Sequence, residues 1–269
     1  MTHYICVTCG VQFAASEEPP AHCPICEDER QYVGWRGQQW TTLDELRRDH
    51  KTVIRPEGPG LVGIGTEPGF AIGQRALLVP TEGGNVLWDC ITLIDDNAVA
   101  AVKDLGGLRA IAISHPHYFS SIVEWSRAFG DVPIYLHVAL RPYVMRPDPL
   151  IEYWEGETLR LEEGLTLINA GVHFDGGTVL HWAGGADGQG ALLAGDIFQV
   201  VQDRRWVSFM YSYPNLIPER PAIIREALRR VEPYAFDHLY GAWWDRKVIG
   251  DAKGAVWRSA DRYLAQVES

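Results

Sequence analysis

The sequence predicts a mixed α/β fold with two β-sheets inside helical layers, preceded by a small cysteine-rich segment. Three observations predict this arrangement. Four of the five cysteines lie within the first 26 residues. From Leu61 onward, short apolar runs alternate with stretches of helical periodicity. Strand hairpins come first along the chain and strand–helix units follow, which is typical of sheets that helices cover.

Composition excludes several classes of protein. The chain has 269 residues, of which 46% are hydrophobic and 22% charged, as in globular proteins. With 24 Lys and Arg against 35 Asp and Glu, the net charge is −11, which argues against binding nucleic acid or an anionic membrane. No apolar run reaches the roughly 18 residues of a membrane span. The first residues lack the features of a secretory signal, so we expect a cytoplasmic protein.

The N-terminal cysteines have the spacing of metal ligands. Cys6 and Cys9 form one Cys-x-x-Cys pair, followed by Gly10, and Cys23 and Cys26 form a second. Two intervening residues allow one tight turn to present both thiolates to a cation, and two such turns complete a tetrahedral site. Two disulfides are the alternative, but a chain without a leader implies a reducing compartment. The pattern therefore predicts a four-cysteine metal site.

This segment resembles a zinc ribbon, and it equally resembles the rubredoxin-like knuckles in which Cys-x-x-Cys-Gly precedes Cys-Pro-x-Cys. Zinc would make the site structural, whereas iron would make it a one-electron carrier. Zinc is favoured because the sequence shows no second redox centre. Cys90 lies apart in an apolar run and is interpreted as a buried core thiol. Residues 33–58 are interpreted as linker and boundary.

The elements after this segment are predicted from periodicity. Gly83 and Gly84 indicate a hairpin turn. The candidate strands are Leu61–Ile64, Arg75–Pro80, Val86–Cys90, Leu108–Ser114, Pro133–Leu136, Leu165–Asn169, Thr178–Trp182 and Ala191–Gly195. The candidate helices are Asn97–Leu105, Phe119–Phe129, Pro218–Val231 and Ala252–Gln266.

Several potential metal ligands follow apolar strands. His115 and His117 come directly after Leu108–Ser114, and their spacing places both imidazoles on one side of an extended segment. His173 lies in a glycine-rich loop ahead of a strand, and Asp196 directly follows another apolar strand. Functional groups in α/β proteins often lie at such strand ends. The order of these residues therefore predicts a second metal site.

Over about residues 60–245, the chain is similar to the metallo-β-lactamase superfamily. The motif of that family is His-x-His-x-Asp-His, followed by a later His, an Asp after a strand, and a last His. Asp89 resembles the acid that ends an early strand there. The resemblance implies an αββα sandwich with the site at one edge. It divides the chain into a zinc-ribbon or rubredoxin-like module, 1–40, and a metallo-β-lactamase-like domain, 41–269.

The resemblance implies that four residues of this chain correspond to metal ligands of the family. His115 and His117 match the first two ligands, His173 matches the later histidine, and Asp196 matches the metal-bridging aspartate. Three imidazoles and a water make an adequate catalytic zinc site, and such a cation lowers the pKa of the water to roughly 7. Asp196 would either bind the metal or hold its water.

The chain also departs from the family pattern. Phe119 replaces the aspartate of the motif, and Ser120 replaces the histidine of the second metal site. Near the last histidine, Gly241 aligns with the family's glycine, which puts Ala242 at the ligand position and leaves His238 out of register. This ligand set predicts one catalytic metal at most.

These observations lead to three functional hypotheses. The first is a hydrolase whose single metal activates water toward an ester, thioester, lactone or amide of a small-molecule substrate. The second is an iron-containing redox or electron-transfer protein, and the third is a binding protein with a degenerate site. Ser120 as a nucleophile is disfavoured because no elbow motif surrounds it. The four-cysteine segment would be structural, or would mediate contacts in a homo-oligomer.

Overall fold

The computed structural model describes residues 1–268. It divides into two compact units, Met1–Leu136 with Arg141–Tyr153, and His137–Leu140 with Trp154–Ser269. The boundary expected at residue 40 falls inside the first unit and stays a prediction. Within residues 1–268, no helix is both long and apolar enough to cross a membrane.

The first unit contains a short N-terminal ribbon and a seven-stranded sheet. In the ribbon, β1 (Ile5–Cys6) pairs with β2 (Trp40–Thr41) in antiparallel fashion. The sheet is formed by β3 (Lys51–Gly58), β4 (Leu61–Glu67), β5 (Ala76–Thr81), β6 (Gly84–Trp88), β7 (Leu108–Ala112), β8 (Ile134–His137) and β9 (Ile151–Trp154), in that order. β3 to β6 are antiparallel, and β6, β7 and β8 are parallel. Helical connections therefore follow β6 and β7, as parallel neighbours require.

Two of the four helices of the first unit begin at side-chain caps. The four helices are α1 (Pro24–Glu27), α2 (Leu43–Asp49), α3 (Asp96–Asp104) and α4 (Ile122–Ala128). Thr42 and Glu45 form a reciprocal capping box at the start of α2. The Asp95 side chain accepts a hydrogen bond from the Ala98 amide at the start of α3. The helix predicted from Phe119 begins only at Ile122, because Ser120 adopts a φ of +48°, which a right-handed helix cannot contain.

The second unit has a six-stranded sheet in the order β10-β11-β12-β13-β18-β19. Its strands are β10 (Thr158–Glu162), β11 (Leu165–Asn169), β12 (Thr178–Trp182), β13 (Ala191–Gly195), β14 (Gln199–Val200), β15 (Val207–Ser208), β16 (Met210–Ser212), β17 (Ile217–Pro218), β18 (His238–Gly241) and β19 (Lys247–Ile249). Its helices are α5 (Gly185–Gly188), α6 (Pro221–Val231) and α7 (Ala252–Val267). The apolar faces of α6 and α7 pack against buried residues of β11, β13 and β18.

Two predictions about elements need correction, and one is confirmed. Lys51–Gly58, interpreted as linker, is a strand that pairs with β4 along its length. It lies at the edge of its sheet, where charged side chains are common. Its polar composition therefore resembles that of a linker. Helix α6 begins at Pro221, not Pro218, since Ile217–Pro218 pairs with β16 and proline is favoured at the first helical position. The hairpin at Gly83 and Gly84 is confirmed.

Candidate metal centres

The four N-terminal cysteines form a buried cluster of sulfur atoms. The sulfurs of Cys6, Cys9, Cys23 and Cys26 all lie within 4.8 Å of one another. Cys6 Sγ is 3.5 Å from Cys26 Sγ, and Cys9 Sγ is 3.7 Å from Cys23 Sγ. Tetrahedral coordination with metal–sulfur bonds of about 2.3 Å places the sulfurs roughly 3.8 Å apart. The observed spacing therefore fits one four-coordinate cation and exceeds a disulfide bond of about 2.05 Å.

Local backbone structure presents these sulfurs. Gly10 adopts a φ of +79°, and its amide donates to the Cys6 carbonyl over 2.8 Å. In the second pair, Pro24 begins a single helical turn, and the Cys26 amide donates to the Cys23 carbonyl over 3.0 Å. These two turns bring each Cys-x-x-Cys pair to one point, as the sequence predicts.

The electrostatics of the sulfur cluster favour a bound cation. Hydrogen bonds from the thiols of Cys23 and Cys26 lower the pKa of Cys6, and the Gln38 amide donates to the Cys6 sulfur over 3.2 Å. Burial raises the pKa of Cys9, and the hydrogen bond with Cys23 raises the pKa of Cys26. The surrounding groups thus stabilise a thiolate at Cys6 and disfavour further thiolates at Cys9 and Cys26. A divalent cation supplies the positive charge that four adjacent thiolates need.

His115 and His117 form a close, buried pair after β7. His115 has an extended backbone, with φ of −167°, and the 3₁₀ turn that follows carries His117 back toward it. His115 Nε2 and His117 Nδ1 are 3.2 Å apart, and the side chains are 0% and 3% exposed. Two nitrogen ligands on a tetrahedral zinc ion are roughly 3.4 Å apart, given bonds of 2.0–2.1 Å. The pair therefore fits adjacent ligands of one ion.

A buried aspartate orients His115. Asp89 Oδ1 accepts hydrogen bonds from the Ser114 amide over 2.8 Å and from the Ser114 hydroxyl over 2.7 Å. Ser114 Oγ also lies 3.0 Å from His115 Nδ1. Because the hydroxyl gives its only proton to Asp89, Oγ accepts the proton of His115 Nδ1. His115 Nε2 then carries the lone pair that a metal requires.

His173 is held by two hydrogen bonds in the loop between β11 and β12. Its φ is +67°, and its amide donates to Glu219 Oε2 over 2.9 Å. Its ring Nδ1 donates to the Tyr211 carbonyl over 2.7 Å, since a carbonyl oxygen only accepts. This leaves Nε2 of His173 as the nitrogen with a lone pair, as in His115. His173 belongs to the second unit, whereas His115 and His117 belong to the first, and the sharing of one ion by all three stays a prediction.

Asp196 is buried directly after β13, with 4% of its surface exposed. Its backbone carbonyl accepts a hydrogen bond from the Tyr213 hydroxyl over 2.6 Å. Burial, with a smaller contribution from the negative charge of Asp196, raises the pKa of Tyr213. Its role as a ligand or a holder of water stays a prediction.

The residues that depart from the family pattern are engaged elsewhere. Ser120 Oγ donates to the Cys90 carbonyl over 3.2 Å and accepts from Gln74 Nε2 over 3.1 Å. His238 lies in β18, where its Nδ1 is 3.2 Å from the Tyr240 hydroxyl. Phe119 and Ala242 are each 2% exposed and carry no metal-binding atoms. The structure thus gives other partners to both Ser120 and His238.

Three supporting residues were missed by sequence reasoning. Ser114 and Glu219 orient the histidines, and Arg75 is a fully buried cation that lies 3.3 Å from Glu57. Burial lowers the pKa of Arg75, and the carboxylates of Glu57 and Asp89 oppose that shift. Only the strand-end position of Ser114 could have indicated its role, because the partners of Glu219 and Arg75 are distant in sequence.

The chain is similar to known proteins both in sequence and in fold. No family model matches it. It is 49% identical to the uncharacterized protein YmaE of Bacillus subtilis (strain 168) over 271 residues, which cover 100% of this chain and 98% of YmaE. The metallo-β-lactamase DIM-1 has a TM-score of 0.58 at 14% identity, covering 81% of this chain and 99% of that one.

Two further solved structures show the same likeness. FIM-1 of Pseudomonas aeruginosa, in its mono-zinc form, has a TM-score of 0.56 at 15% identity and covers 78% of this chain and 95% of its own. The metallo-β-lactamase of Hirschia baltica has a TM-score of 0.55 at 15% identity, with coverages of 79% and 97%. These matches confirm the predicted fold class, the αββα fold of metallo-β-lactamases.

Proposed function

Because the chain belongs to the same family as YmaE of Bacillus subtilis and has the metallo-β-lactamase fold, we propose that it is a metal-dependent hydrolase. The buried pair His115 and His117, whose spacing fits two ligands of one ion, carries this proposal, and buried His173 is the proposed third ligand. Three neutral imidazoles are the donor set of a catalytic zinc site. FIM-1, whose structure contains one zinc ion, offers a parallel for a single-metal site on this fold.

The residues of the proposed site would have different roles in the reaction. His115, His117 and His173 would hold one zinc ion, with Asp89 and Glu219 fixing the orientation of the first and the last. The ion would polarise a water molecule and so supply a nucleophile at neutral pH. Asp196 would accept the proton of that water, because Phe119 stands where the family's aspartate does this. The nucleophile would attack the carbonyl of an ester, thioester, lactone or amide.

The four cysteines would hold a second zinc ion with a structural role. Four thiolates fill all positions of a tetrahedral ion and leave no position for substrate. A chain with both sites loaded would therefore contain two metals with different functions. The charges at the cysteines favour a divalent cation, and iron is the alternative occupant.

Metal analysis of the purified protein tests both assignments. We expect about two zinc ions per chain in the wild type and about one in the double variant His115→Ala, His117→Ala. The matched control His238→Ala should keep two, since that residue lies in β18 with other partners. About one metal in the wild type, unchanged in the double variant, would overturn the hydrolase proposal. A red, iron-containing protein would instead favour electron transfer.

A hydrolysis screen then tests the reaction. Ester, thioester, lactone and amide substrates are offered to the wild type, and we expect turnover of at least one class. His173→Ala should abolish that turnover, whereas the control His22→Ala, at an exposed position, should preserve it. Turnover that survives His173→Ala, or a zinc-loaded protein inactive on every class, would contradict the assignment.

A further inference from the structure

We infer that the cysteine knuckle, residues 5–41, is a positioning element for the histidine turn, residues 114–121. Three sets of contacts connect these segments within the first unit. The consequence for catalysis rests on the proposed function, but the structural coupling does not. Gln12 and Thr92 are the positioning residues through which the connection is made.

The first connection is a backbone hydrogen bond. The Gln12 amide donates to the Ser120 carbonyl over 3.0 Å. Gln12 forms a β-bridge with Ile5, and the Cys6 amide donates to the Val11 carbonyl over 3.0 Å. The chain that carries the first cysteine pair is therefore bonded directly to the turn, three residues after His117.

The second connection passes through Thr92. Its hydroxyl donates to the Gly10 carbonyl over 2.8 Å, and its own carbonyl accepts from the Ser121 hydroxyl over 2.6 Å. Gly10 follows Cys9 and bonds back to the Cys6 carbonyl. Thr92 thus joins the backbone turn of the first cysteine pair to the end of the histidine turn.

The third connection is a shared pocket. Val11 and Gln12 line the same pocket as Phe119, Ser120 and Val123. A displacement of the knuckle would therefore change the packing around Phe119 and Ser120.

The histidine turn needs such support. Ser120 adopts a φ of +48°, which is unfavourable for a residue with a side chain and persists only when surrounding contacts enforce it. A short cysteine-rich segment relies on its metal for folding free energy. Loss of the metal from the cysteines would release Gln12 and Gly10, and with them two supports of the turn. Occupancy of the cysteines would then control the order of the histidine pair.

Hydrogen exchange on the full chain tests this coupling. The probes are the amides of Tyr118, Phe119 and Ile122, which donate within or just after the turn. We expect their exchange to accelerate at least tenfold when an organomercurial, which attacks thiolates and not imidazoles, displaces the metal from the cysteines. Unchanged exchange after complete displacement, measured by released zinc, would overturn the inference.

Thr92→Val tests the second connection without touching the metal ligands. It removes one hydrogen bond at nearly constant volume, so exchange in the turn should accelerate about fivefold to tenfold. The matched control Thr52→Val removes a hydroxyl bond of 2.6 Å to Asp95 in the same unit and should leave the turn unchanged. Equal effects of the two variants would also overturn the inference. If exchange changes as expected but the histidines bind no metal, the hydrolase proposal fails and the coupling between the knuckle and the turn stands.

Discussion

The substitution Glu219→Gln should be costly although it changes a single atom. Both carboxylate oxygens accept backbone amides, Oε2 from His173 over 2.9 Å and Oε1 from Arg220 over 2.8 Å. Glu219 is 3% exposed. In either orientation, the glutamine NH₂ group must face one of these donors. One bond to a charged acceptor is lost and a buried amide stays unpaired, which costs about 2–3 kcal/mol.

Urea unfolding followed by circular dichroism measures this cost from the shift in midpoint at constant slope. Glu226→Gln is the control, because that carboxylate is exposed and bonds to arginine side chains on the surface of α6. We also expect zinc affinity at the histidines to fall about 10-fold to 100-fold in Glu219→Gln, as when partners of metal ligands are removed. A glutamine variant as stable as the control would refute the assignment of Glu219 as the support of His173.

Three further predictions concern pH, packing and metal. Burial lowers the pKa of His137 and His181 in the fold, so the unfolded chain binds more protons, and Tm should fall as pH drops below about 6.5. His181→Gln should make Tm depend less on pH, and a slope of Tm against pH equal to that of the wild type would contradict this prediction. Gly10→Ala, whose Cβ would lie 2.5 Å from Thr92 Oγ1, should lower the free energy of unfolding by over ~1 kcal/mol in denaturant titrations. A strong chelator should lower Tm reversibly in calorimetry; unchanged Tm after verified metal removal contradicts a structural metal.

The strands that sequence reasoning predicted best are buried on both faces. Leu165–Asn169, Thr178–Trp182 and Ala191–Gly195 have the predicted bounds, because each is a short, mainly apolar run next to glycine or polar residues. Two other strands were harder to predict. Lys51–Gly58, at the edge of its sheet, and His238–Gly241, between β13 and β19, pair along most of their length, yet their composition does not show the period of a half-buried strand.

The metal ligands were predictable for a different reason. Cysteine spacing and strand-end histidines are local patterns, and the structure brings the four cysteines to one point and places His115 beside His117. Some groups that orient the histidines are distant in sequence. Asp89 lies 25 residues from Ser114, and only the family resemblance indicated it. Glu219 lies 46 residues from His173, and no pattern in the sequence identifies it because this contact depends on the tertiary fold.

Ser120 limits how this scaffold could acquire dinuclear chemistry. An imidazole at that position would have to displace the hydroxyl that Gln74 and the carbonyl of Cys90 now enclose, on a backbone that disfavours larger side chains. Phe119 and Ala242 would also need replacement by ligands, and both are buried. Each exchange alone would cost stability and bring no second ion. Directed evolution by single steps would therefore stall, and a designer would have to rebuild several positions at once.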